Sequence, residues 1–96
     1  MNNIKECSII YEIRVKTEGE VNLEYLLRHH RAGEEYGVPG MVYSIEIIMD
    51  SPAENESVIL EDITRDYQEA VDIITEFAKN TVTPDSAIYI AEDMLS

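Results

Sequence analysis

Residues 62–83 hold Tyr67, Ala70, Val71, Ile74, Phe77 and Ala78 at intervals of three and four, a spacing that sets all six along one side of a helix. Asp66, Glu69, Asp72 and Glu76 fall on the side that faces water. An apolar stripe of this width has to be buried against another element. The first sixty residues supply one, because their apolar positions alternate in the manner of half-buried strands.

From Cys7 to Val15 the odd positions Cys7, Ile9, Tyr11, Ile13 and Val15 are apolar, and Ser8, Glu12, Arg14 and Lys16 lie between them. Alternation resumes at Val21, Leu23, Tyr25 and Leu27. A three-residue loop, Glu18 to Glu20, sets Val15 opposite Leu23, Ile13 opposite Tyr25, Tyr11 opposite Leu27, and Arg14 opposite Glu24 on the other face. A two-residue loop would oppose apolar to polar throughout. Residues 21–30 also fit a helical period, but the pairing favours a strand.

Residues 31–40 contain three glycines and a proline and read as a loop. Met41, Tyr43, Ile45, Ile47 and Met49 form a third strand, residues 50–55 a turn, and Val58, Ile59 and Leu60 a short fourth strand. Thr64 is the expected N-cap of the central helix, and Asn80 its left-handed terminator. Thr83, Pro84 and Asp85 open a second helix whose buried stripe is Ile88, Ala91, Met94 and Leu95. The sequence therefore specifies a single α+β domain over residues 1–96: a four-stranded, mostly antiparallel sheet followed by two C-terminal helices packed on one face.

The formal charge of −13 is unevenly spread: residues 1–31 balance to zero, and residues 32–96 carry the whole excess. A field of that sign repels phosphate backbones and anionic lipid, which argues against direct nucleic-acid or membrane binding. No apolar run approaches the length of a membrane span, and the first residues lack a secretory core. With Cys7 the only cysteine, no internal disulfide can form, in keeping with a reducing cytoplasm.

Few residues suggest chemistry. His29 and His30 are adjacent, so their side chains diverge and cannot readily share one metal ion. Cys7 and His29 are the one nucleophile and base that the strand register brings near each other, roughly 7 Å apart between backbones, with no orienting group or oxyanion site in view. Residues 50–56 lack the glycine and the bidentate glutamate of a calcium loop. Gly33, Gly37 and Gly40 match no phosphate-binding pattern. No cofactor or metal is expected.

The sheet face turned away from the helices is more informative. Ile10, Leu26, Val42 and Ile48 fall on it by parity, among Glu12, Arg14, Glu24, Arg28, Ser44 and Glu46. Clustered, these four form an apolar patch with a charged rim, the anatomy of a protein interface.

Tyr43 to Ile47, Asp62 to Thr64, Asn80 to Pro84 and Glu92 to Leu95, about half of the chain, resemble a family of short proteins of unknown function from clostridia-like bacteria. The resemblance implies no assigned activity and leaves out His29 and His30. The expected function is thus that of a small acidic cytoplasmic protein without catalysis, which binds a protein partner or a second copy of itself. One alternative is an acidic nucleic-acid mimic that inhibits a basic protein. Another is a small hydrolase or thiol enzyme using Cys7 and His29.

Overall fold

Alternating apolar residues build four strands: β1 (Ser8–Lys16), β2 (Asn22–Ala32), β3 (Gly40–Asp50) and β4 (Asn55–Thr64). They pair antiparallel in the order β1-β2-β3-β4. Two helices follow, α1 (Tyr67–Lys79) and α2 (Pro84–Leu95). This computed structural model describes residues 8–32 and 40–95.

The first hairpin has the expected three-residue loop. Thr17 N–H donates to the Val21 carbonyl at 2.9 Å, and Val15↔Leu23, Ile13↔Tyr25 and Tyr11↔Leu27 are opposed. Gly19 in the middle of the loop has φ +82, a left-handed conformation that glycine adopts without steric cost. Residues 22–30 lie in a strand, because only a period of two buries Leu23, Tyr25 and Leu27 together on one face.

Beyond Tyr11 the register shifts. Ile9 pairs with Arg28 and Ser8 with His29, so Ile10 is the extra residue of a bulge. Ile10 packs against the core cluster and not on the outer face, which corrects the parity assignment; Ile9 takes its place outside, half-exposed. A second bulge lies in β4: Ile45 opposes Leu60, but Tyr43 opposes Thr64. Asp62 within it has φ +50, and its N–H donates to the Ser44 hydroxyl at 3.0 Å. β4 is therefore longer than its three apolar residues indicate. The strands also absorb Arg31, Ala32 and Gly40 from the expected loop, while residues 33–39 lie outside the described ones.

The α1 stripe is seated as expected, with Ala70, Ile74, Phe77 and Ala78 buried against Leu23, Tyr25, Leu27, Ile45 and Ile47. Ile74 is 0 % and Phe77 3 % exposed. Fully burying such side chains contributes about 1.5–3 kcal/mol each. Tyr67, by contrast, stays half-exposed at the helix start, where its ring meets Tyr43.

The caps differ from expectation. Asp66 is the N-cap, accepting from the N–H groups of Gln68 and Glu69, and Thr64 instead accepts from the Asp66 N–H. At the other end Asn80 has φ −98, and Thr81 takes the left-handed position at φ +46. Val82 N–H reaches the Phe77 carbonyl and Thr81 N–H that of Ala78, the paired bonds of a Schellman termination. Buried Val82 and Phe77 accompany them, as that motif favours.

α2 begins as expected: Thr83 Oγ1 accepts from Ser86 N–H and Pro84 occupies the first turn. Its buried stripe is Pro84, Ala87 and Ala91, and Ile88 is exposed. The side chains of Met94 and Leu95 lie outside the described set.

The Tyr25 hydroxyl donates to the Val82 carbonyl at 2.8 Å in the core, tying β2 to the connection between the helices. Tyr25→Phe removes that donor and should cost about 1–2 kcal/mol in urea unfolding at neutral pH. Burial pushes the Tyr25 hydroxyl up to about 12 from its ordinary 10.0. The neutral phenol is thus favoured by folding, and the stability it confers is whole below the ordinary value and lost as pH rises towards the raised one. Tyr25→Phe should show a shallower loss than the wild type across that alkaline window. Thr81→Gly relieves the left-handed β-branched residue and should stabilise the fold by about 1 kcal/mol in the same assay.

Candidate functional site

The antiparallel registers align outer-face residues into rows that cross all four strands. Lys16, Asn22, Asp50 and Asn55 form one row; Arg14, Glu24, Ile48 and Ser57 the next; Glu12, Leu26, Glu46 and Ile59 the third. The molecule is 19 Å thick along its shortest axis, which accommodates one sheet and one layer of helices. Both helices pack on the face of Tyr25 and Ile45, so no described helix covers these rows.

The structure places the four candidate residues differently from one another. Leu26 and Val42 lie on the outer face but are only 5 % and 1 % exposed, Ile48 is partly buried, and Ile10 belongs to the other side. The apolar surface open to solvent comes instead from Ile9 on β1 and Ile59 on β4, 50 % and 48 % exposed. Ile59 is legible from the alternation, since of Val58, Ile59 and Leu60 the middle residue must point away from its neighbours. Ile9 is not, because nothing in Ile9-Ile10-Tyr11 marks which residue the bulge absorbs.

Charges on this face are paired across strands. Arg28 Nε and Nη2 both donate to Glu46 Oε1, at 3.0 and 2.7 Å, with both side chains largely shielded. Arg14 bridges Glu24 at 3.0 Å and Glu12 at 3.4 Å in the open, an arrangement that adds little stability. At the far end His30 Nε2 contacts Asp62 Oδ1 at 2.8 Å, and the His30 ring is largely shielded. Through Asp62 the imidazole thus braces the β4 bulge that Ser44 also holds.

Ser44, His30 and Asp62 are the three residue types of a hydrolase triad, but the geometry serves structure. The Ser44 hydroxyl accepts from the Asp62 backbone N–H, whereas a nucleophile would donate to the base. His29, on the inner face, stacks on Tyr43 with centroids 6.2 Å apart and planes at 25°. It pairs with Ser8 and not Ile9, and Cys7 lies outside the described residues. Among the described residues no three His, Asp or Glu side chains are grouped to hold a metal ion, and no helix is long and apolar enough to cross a membrane.

A groove of about 770 Å³ opens where the β1–β2 and β3–β4 turns meet, walled by Arg14, Lys16, Glu24, Ile48, Asp50 and Glu56. It carries both signs of charge and, among the described residues, neither histidine nor cysteine.

Over residues 5–96 the sequence matches the model of a family described as a family of unknown function, DUF6514. The chain belongs to that family. The match extends the half-chain resemblance to nearly every residue and takes in His29 and His30. Neither the curated proteins nor the solved structures contain a match. Membership in DUF6514 therefore assigns no activity to the groove or to the outer face.

Glu56, on the wall of the groove, is held above its ordinary carboxylate range by the Asp85 carboxylate first, by burial second and by Glu54 third. Folding thus favours its neutral form, a contribution whole below the ordinary range and lost as pH rises through the raised value. Glu56→Gln should raise the melting temperature at pH 7. The gain should vanish below about pH 4, where carboxyls protonate, and a pH series of melting curves reads both.

Proposed function

We propose that this member of DUF6514 is a non-catalytic cytoplasmic interaction module that self-associates through the outer face of its sheet. The observation that carries the reading is the pairing of exposed Ile9 and Ile59 with a near balance of charge on that face. There, Arg14, Lys16 and Arg28 stand against Glu12, Glu24, Glu46 and Asp50. The helical side exposes Glu69, Asp72, Glu76, Asp85 and Glu92 with Lys79 as the basic residue of the α1 end. Two copies at −13 each repel wherever these acids meet. The balanced sheet face is where a second copy approaches at least electrostatic cost.

The occupant that fits is an identical chain related by a two-fold axis, since a self-complementary patch needs apolar centres and charges of both signs. Sheets packed in this way lie about 10 Å apart with interdigitated side chains. The broad side of the molecule measures 45 × 34 Å, ample for the roughly 800 Å² per partner of an ordinary stable interface. A single cysteine, which leaves no internal disulfide to form, supports the cytoplasmic assignment.

Sedimentation velocity on the intact chain tests the proposal. A dimer is expected, and Ile59→Asp should convert it to monomer while changing the stability of the monomer by no more than about 0.5 kcal/mol, as for an exposed position. A wild-type chain that stays monomeric up to about 1 mM, where even millimolar self-affinity shows, overturns it.

A further inference from the structure

A second concavity lies on the opposite side of the molecule, between the two helices. Its floor is apolar: Ile73 and Phe77 from α1, Val82 from the connection and Ile90 from α2. Its volume is about 420 Å³. Glu69, Asp72 and Glu76 line it along α1, with Asn80 at the end, and among the described residues no cationic side chain lines it.

The three carboxylates recur at i, i+3 and i+7, which spaces them along about 10 Å of helix axis. They flank Ile73 and Phe77 on the same side of α1, because all five residues lie within one three-and-four-residue stripe. An apolar trough beside a one-signed rail of this pitch is complementary to one kind of occupant. A helix laid in the trough would present apolar side chains at three- and four-residue spacing to the floor, and lysine or arginine at the same spacing to the rail. A second copy of this chain is a poor fit, because its own helices carry the same acids. Nucleic acid is excluded by charge.

We infer that the α1–α2 groove docks a basic amphipathic helix of a partner protein, with Ile73 and Ile90, the partly exposed residues above buried Phe77 and Val82, receiving its apolar side chains and Glu69, Asp72 and Glu76 its cations. This surface is separate from the sheet face, so the inference stands or falls independently of self-association.

The test uses the full chain and a fluorescein-labelled peptide of about 18 residues, long enough for five turns, in which leucine and lysine are ordered as an amphipathic helix. Fluorescence anisotropy should show saturable micromolar binding that weakens as salt screens the rail. A peptide of the same composition in scrambled order should bind at least about 10-fold more weakly. The combined Glu69→Gln, Asp72→Asn and Glu76→Gln variant changes only exposed side chains and should lose affinity by about 10-fold or more. Neutralising three distant exposed acids by Glu18→Gln, Glu20→Gln and Glu54→Gln should change it less than about twofold. Ile59→Asp should bind as the wild type does. Equal loss from the two neutralised variants would show that net charge alone attracts the peptide, and it overturns the inference. So does equal binding of the scrambled peptide, or no binding at low salt.

Discussion

Ile74 and Phe77 press into a floor made by Tyr25, Leu27, Ile45 and Ile47, the contact that seats α1 on the sheet. The floor is assembled from β2 and β3, the two inner strands, so it exists only if both hairpins keep register. The stripe above it exists only if α1 starts and stops at the right residues. Asp66 sets the start, and the Schellman turn at Thr81 sets the stop. The Tyr25 hydroxyl then ties that turn to the centre of the sheet. Local chain chemistry and long-range packing thus specify the same arrangement, which is what makes a short chain fold to one structure.

Much of this was legible in the order of residues. The register of the first hairpin followed from opposing Val15 to Leu23 and Arg14 to Glu24, because a slip by one residue would invert both faces. The face of α1 followed from its period. What escaped was decided by interactions that leave no periodic trace. The extra residue of the β1 bulge sits inside three consecutive apolar residues, and the β4 bulge depends on a Ser44 hydroxyl 18 residues away. Thr81 adopts a conformation that sequence preference assigns to Asn80, because burial of Val82 against Phe77 fixes where the chain must turn. The candidate surface was half legible: parity put Leu26, Val42 and Ile48 on the outer face, but it could not foresee that Leu26 and Val42 are closed off within the chain.

The excess negative charge gains meaning once it is mapped. The sheet face mixes Arg14, Lys16 and Arg28 with four acids, Arg14 and Arg28 pairing across strands with Glu24 and Glu46, and the helical face gathers its acids along α1 and α2. The two broad sides of a thin molecule therefore present different chemistry. The mixed side is the one proposed for self-association, and the acidic side the one proposed for a basic partner.

Both register shifts fall on the outermost strands, β1 and β4, and none on β2 or β3. A sheet that is not closed into a barrel leaves two rows of backbone donors and acceptors on which a foreign strand can be templated, the first step towards a fibril. Here each row is broken by one kink, at Ile10 on one side and at Asp62 on the other. The same distortions that hid a residue from parity keep an open sheet from growing sideways.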